Sequence, residues 1–187
     1  MFRRLFSGDP RESAARALYE SIMLQSRQPE FYTDYAVPDS TEGRFELLLI
    51  HLGLVIRRLK CEENEEAREL SQNLFDFFVY DMDQSLRESG IGDLSVGPRL
   101  RRVGEAFYGR VKAYEAALDA GNESQELGAA LLRNLYATRE SEPGQETVMA
   151  MAEYLYRVDA FFAEQETPNI LSGQIKFSEL DAARDKD

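Results

Sequence analysis

The residues able to do chemistry are few, and they do not gather. His51 is the only histidine and Cys61 the only cysteine among 187 residues, so a nucleophile–base pair of the Ser-His-Asp or Cys-His type has to run through His51. That histidine stands in a leucine- and isoleucine-rich segment, where a satisfied interior role is expected. Asp81 falls inside the apolar stripe of the next helix. A buried carboxylate without a partner is costly, so Asp81 needs a donor or a positive charge. A satisfied interior histidine, with Asp81 of the neighbouring helix as a candidate partner, is the expected arrangement, and acid–base catalysis by the same two residues is the enzymatic alternative. A di-iron site of the Glu-x-x-His kind is absent, because Leu48 stands three residues before His51. Gly90-Ile91-Gly92 begins like a dinucleotide fingerprint, but Ser95 occupies the third glycine position and a helix precedes it where a strand is required. The acidic run Glu62, Glu63, Glu65, Glu66 and Glu69 lacks the spacing of a calcium loop. No catalytic residue, metal site or cofactor is expected.

Binding is better provided for than catalysis. Arg87, Arg99, Arg101, Arg102 and Arg110, with Lys112, form a basic cluster in a chain of net charge −12. Residues 1–112 hold 16 basic against 19 acidic side chains, net −3, whereas residues 113–187 hold 6 against 15, net −9. Two readings of the cluster stay open: an ordinary solvated face, or a docking patch for RNA or an acidic protein. Phe31, Tyr32, Tyr35 and Val37 likewise read either as core packing or as an aromatic anchor site. The overall charge opposes phosphate backbones, and DNA is not an expected partner.

Helical periodicity recurs along the chain and strand alternation does not. The fold class expected is all-α: a single compact domain of about six helices over residues 1–168, followed by a strap-like or partly ordered tail at 169–187. Asp9, Pro10 and Glu12 suit the start of a first helix reaching residue 27. Asp39, with Glu42 three residues on, suits the cap of a second helix over 40–60. Phe45, Leu48, Leu52, Val55 and Leu59 line one face of that helix, and Leu47, Ile50 and Leu54 line the other, which predicts a central position. A third helix over 65–88 stops at Gly90 in a Schellman turn with Ile91 set against Leu86. The fourth, over 97–120, starts at Pro98 and carries Gly104 on its apolar face, which predicts a close helix crossing there. Two more follow over 124–139 and 144–164, joined by a Ser-Glu-Pro-Gly turn.

The single cysteine fits a reducing compartment, and no apolar run is long enough to span a bilayer. Neither a secretory signal nor a mitochondrial presequence is expected at the start, which points to the cytoplasm. A peripheral touch on the inner membrane, with Phe2 to Phe6 as candidates, is compatible with these features.

Three blocks carry a family resemblance. Val37-Pro38-Asp39 with Gly43-Arg44-Phe45, then Asp83-Gln84-Ser85-Leu86-Arg87-Glu88 with Gly90-Ile91-Gly92-Asp93, then Phe107-Tyr108-Gly109-Arg110 with Ala113-Tyr114 resemble, in that order, the ubiquinol–cytochrome c chaperones. The resemblance is strongest over residues 31–118. It implies a helical, non-enzymatic factor that binds newly made cytochrome b and assists assembly of the bc1 complex, in its bacterial form. Mitochondrial members are associated with the ribosome and a small helical partner, so the ribosome is a further implied contact. A general helical adaptor that binds ribosome, RNA or an acidic protein through the basic face is the alternative. The oligomeric state is not legible.

Overall fold

The structure, a computed structural model, describes residues 10–121, 125–139 and 143–180, and all its regular elements are helices. In chain order they are α1 (Pro10–Gln25), α2 (Glu30–Thr33), α3 (Thr41–Lys60), α4 (Glu65–Glu88), α5 (Asp93–Asp119), α6 (Glu126–Asn134), α7 (Gln145–Glu164) and α8 (Thr167–Leu171). Six are long and two are single turns. The expected all-α architecture is what forms.

The doubly apolar α3 is the hub. Leu47, Leu49, Leu52 and Val55 are fully buried, because α1, α4, α5 and α7 all pack around it. Removing one such leucine side chain is expected to cost about 2–5 kcal/mol. Its start differs from expectation by one residue: Ser40, in extended conformation, accepts a hydrogen bond from the Gly43 backbone N–H at 3.1 Å. Asp39 is outside the cap and instead pairs with Arg44 at 2.7 Å. The neighbouring hydroxyl has the geometry to reach that N–H, so the carboxylate is free for the arginine. Asn64 caps α4 in the same manner, accepting from Ala67 at 2.8 Å. The expected cap at Asp9, the Asn122 and Ser124 boundaries and the Ser141-Glu142 half of the turn lie outside the described residues.

α4 and α5 form a long antiparallel hairpin. Gly90 takes φ +77°, its N–H bonds the Arg87 carbonyl at 3.0 Å, and the Ile91 N–H reaches the Leu86 carbonyl at 3.3 Å. This is the expected Schellman stop. α5 begins earlier than expected, at Asp93 after Gly92, so Pro98 lies inside its second turn rather than at its start. The close crossing also sits elsewhere. A Cβ added to Gly104 would meet nothing within 4 Å, whereas one added to Gly53 would lie 2.9 Å from Val111 Cγ2. The glycine that lets α3 and α5 approach is therefore Gly53, on the hub helix.

The last described segment crosses back over the bundle. Ile170 and Ile175 are buried, Gly173 adopts φ +89°, and a Cβ there would lie 2.9 Å from Ala14 of α1. Phe177 closes edge-on over His51 at 5.6 Å and over Phe162 at 5.2 Å between ring centres.

Candidate functional site

His51 is sealed in the core at 0% exposure. Its Nδ1 lies 2.7 Å from the Leu47 carbonyl oxygen, which can only accept, so Nδ1 carries the proton. Nε2 then accepts from the Tyr154 hydroxyl at 2.8 Å, and the Tyr154 oxygen accepts from Gln25 Nε2 at 3.0 Å. Loss of water around the ring pushes the histidine down to about 4, against a weaker opposing pull from the Leu47 carbonyl. The ring is neutral near pH 7. The candidate partnership with Asp81 does not form: Asp81 instead accepts from the Tyr19 hydroxyl at 2.8 Å. Burial and the adjacent carboxylate both raise the Tyr19 phenol. The donor that Asp81 required is thus supplied by α1, and the sole histidine is held by α7.

The aromatic candidates divide. Phe31, Tyr35 and Val37 are buried, with Phe31 edge-on to His51 at 5.2 Å and to Tyr154 at 5.3 Å. Their side chains offer no surface in this structure. Tyr32 is partly exposed; its hydroxyl donates to the Ser26 carbonyl at 3.3 Å and its ring lies 5.8 Å from the Arg44 guanidinium carbon. The connector is fastened from α6, where the Tyr136 hydroxyl donates to the Tyr35 carbonyl at 2.9 Å and Arg139 donates to that of Ala36.

The basic cluster also divides. Arg110 turns inward, with its Nε 2.6 Å from Oε1 of Glu46. Charge rather than an aligned hydrogen bond holds this pair, and the second Glu46 oxygen is buried without a partner. Burial lifts the Glu46 carboxyl above its ordinary range and Arg110 opposes the lift. Arg87 is bound by Asp83 at 2.7 Å and by Asp93, and Arg101 by Glu105 at 3.0 Å. Arg99 and Arg102 are exposed and take part in no ion pair among the described residues.

A groove lies where α3, α4 and α5 diverge. Its volume is about 240 Å³, and Ile56, Leu59, Phe75, Phe107, Tyr108 and Val111 form its apolar wall, with Lys60, Arg68, Ser71 and Gln72 on its polar side. Phe107 is buried at its base, with the buried Phe78 packed behind it at 5.7 Å between ring centres, while Tyr108 at the rim is 61% exposed. Phe75 bridges these levels, 5.1 Å from Phe107 and 5.3 Å from Tyr108 between ring centres. The aromatic packing of the core therefore continues outward into solvent. Lys60 is braced by Glu115 at 2.8 Å and Arg68 by Glu65 at 3.5 Å. Such a site can anchor a few apolar side chains, being smaller than the range of about 300–1,000 Å³ usual for small-molecule pockets. Among the described residues, no three His, Cys, Asp or Glu side chains are placed to hold a metal ion, and no helix is long and apolar enough to cross a membrane.

Comparison with known proteins is consistent across sequence and structure. The family model described as ubiquinol-cytochrome C chaperone matches residues 33–177. The Mus musculus protein named ubiquinol-cytochrome c reductase complex assembly factor 1 is 20% identical over 168 residues, spanning 89% of this chain and 55% of that protein's length. Its Xenopus laevis counterpart is 21% identical over 168 residues, 89% of this chain and 82% of that protein. The crystal structure of the Cbp3 homolog from Brucella abortus superposes with a TM-score of 0.81 at 37% identity, covering 93% of each chain.

Proposed function

This chain belongs to the ubiquinol-cytochrome c chaperone family, and from that premise we propose that it is a non-enzymatic assembly chaperone for the bc1 complex whose client is newly made cytochrome b. The observation that carries the reading is the groove at α3, α4 and α5, where Phe75 and Tyr108 extend a buried aromatic cluster to the surface. Cytochrome b is a membrane protein, so before insertion its apolar segments need reversible cover. A shallow site with a rigid aromatic floor and an amphipathic rim tyrosine provides that cover. One or two client side chains in the groove give an affinity weak enough for release without ATP. Holding requires no bond to be made or broken, and the neutral, enclosed His51 is assigned to the fold in this reading.

The proposed place of action is the cytoplasmic side of the inner membrane, with client arriving from the ribosome. The general-adaptor alternative loses ground because Arg87, Arg101 and Arg110 are each bound by a carboxylate of the same chain, which leaves less free charge for RNA.

A photo-crosslinking side chain at position 108 in the full chain tests the assignment. Adducts to cytochrome b, together with a fall in assembled bc1 complex when Phe75 and Tyr108 are both replaced by serine, are the expected results. Normal levels of the complex in a deletion strain would sink the proposal.

A further inference from the structure

The outer end of the α4–α5 hairpin is open to solvent along nearly its whole length. From Arg87 to Arg102 only Val96 is buried, and Leu94, just past the turn, is 96% exposed. Between Ile91 and Arg102 there are three arginines and a single aspartate, in a chain of net charge −12. Arg99 and Arg102 are without an ion-pair partner among the described residues, and only Arg101 is shared, with Glu105 at 3.0 Å. Helical spacing places Leu94, Pro98 and Arg101 along one outer line, with Arg102 next to it and Arg99, one turn before Arg102, farther round the helix at about 140° from Leu94.

We infer that this tip is a contact for the headgroup region of an anionic bilayer, Leu94 entering the interface while Arg99 and Arg102 reach lipid phosphates. Wet apolar side chains flanked by arginine are what an interfacial contact uses. A nucleic acid fits less well, since no aromatic side chain for base stacking occurs between Gly90 and Val103 and an exposed leucine gains nothing from a sugar–phosphate surface. A folded acidic protein would need a pocket shaped to a convex end, whereas a fluid surface deforms around it. The chain's overall negative charge does not forbid the contact. Screening at physiological salt limits the reach of charges elsewhere on the chain to about 8 Å. The geometry also suits the client reading, from which this inference is otherwise independent. Tyr108 lies 14 residues along α5 from Leu94, about 21 Å at the helical rise, which sets the groove near the membrane without immersing it.

Flotation of the purified full chain with vesicles tests this, comparing pure phosphatidylcholine with phosphatidylcholine containing about 30 mol % phosphatidylglycerol. Binding to the anionic vesicles at least about fivefold above the neutral ones is expected, falling as salt rises. L94S lowers binding about threefold at low and high salt alike, and the R99Q/R102Q pair lowers it as much while flattening the salt dependence. Both variants keep the wild-type urea midpoint, which excludes unfolding as the cause. No preference for anionic vesicles, or variants that float like wild type, would overturn the inference. It is equally overturned if single-stranded RNA strips the protein from vesicles and only the arginine pair controls RNA binding. A protein that carries F75S together with the photo-crosslinking side chain at position 108, and gives no cytochrome b adduct yet floats normally, keeps the membrane and client assignments apart.

Discussion

The centre of the bundle around His51 and the outer half of the α4–α5 hairpin treat polar and apolar groups in opposite ways. At the centre, each polar atom of the Gln25, Tyr154 and His51 chain that the fold buries has a partner, and three rings close around the imidazole. At the hairpin end the polar groups are wet, two arginines have no ion-pair partner among the described residues, and leucine is left in water. The contrast teaches where to look for function. Buried polar residues that are fully satisfied are accounted for by stability, and exposed groups that nothing within the chain satisfies are the ones available to a partner.

Substitutions should separate these regions by the size of their effect. The largest is expected at Arg58, which is 9% exposed and donates to the Phe162 carbonyl at 2.8 Å, the Gln165 carbonyl at 3.2 Å and the Thr167 hydroxyl at 3.1 Å, besides pairing with Glu62 at 2.5 Å. Arg58→Met leaves these acceptors facing an apolar chain and is expected to cost about 3–4 kcal/mol in urea unfolding. Glu62 loses part of the support that depresses its carboxyl, the Thr167 hydroxyl remaining as the larger one.

Acid is the next strongest probe. The folded state holds His51 down to about 4 against an ordinary 6.5, so between these values the unfolded chain takes up a proton that the fold refuses. Stability from this group is complete above pH 6.5 and falls as the pH drops toward 4, by up to about 3 kcal/mol. His51→Gln should flatten that stretch of a stability–pH curve. Tyr154→Phe removes the hydroxyl between Gln25 and His51 and leaves the Nε2 acceptor buried without a donor. The expected loss is about 2 kcal/mol at neutral pH. At the other extreme, Leu94→Ser should move the urea midpoint by less than about 0.5 kcal/mol equivalent, as for any exposed position. A large destabilisation there would mean that the hairpin end belongs to the core after all, and the comparison would fail.

Local features were legible in the residues, and tertiary ones were not. The two apolar stripes of α3 announced a hub, and Gly90 followed by Ile91 announced the helix stop, because both depend on neighbours within one or two turns. Ser40 and Asp39 are equally good caps on paper, and only the path of the chain decides between them. Gly104 and Gly53 both interrupt apolar faces, but which one meets another helix depends on where two axes cross. His51 found Tyr154 rather than Asp81 because its partner comes from a helix about a hundred residues away. The arginines looked like one patch, yet residue 110 borders α3 and turns toward Glu46 while 99 and 102 lie beyond its reach. The groove had one faint signal. Tyr108 follows the inward Phe107 and so sits about 100° off the buried line of α5, which places a ring at the edge of that face.

The tight contact of Gly53 with Val111 gives the hairpin mechanical character. Val111 lies 17 residues from Leu94, an arm of about 26 Å, while Tyr108 is only three residues from the same crossing. If the arm swings as a rigid body about this fulcrum, a sideways displacement of about 3 Å at the tip is geared down to about 0.5 Å at the groove. A load taken at one end of the lever would thus reach the other as a small, high-force adjustment of the aromatic wall.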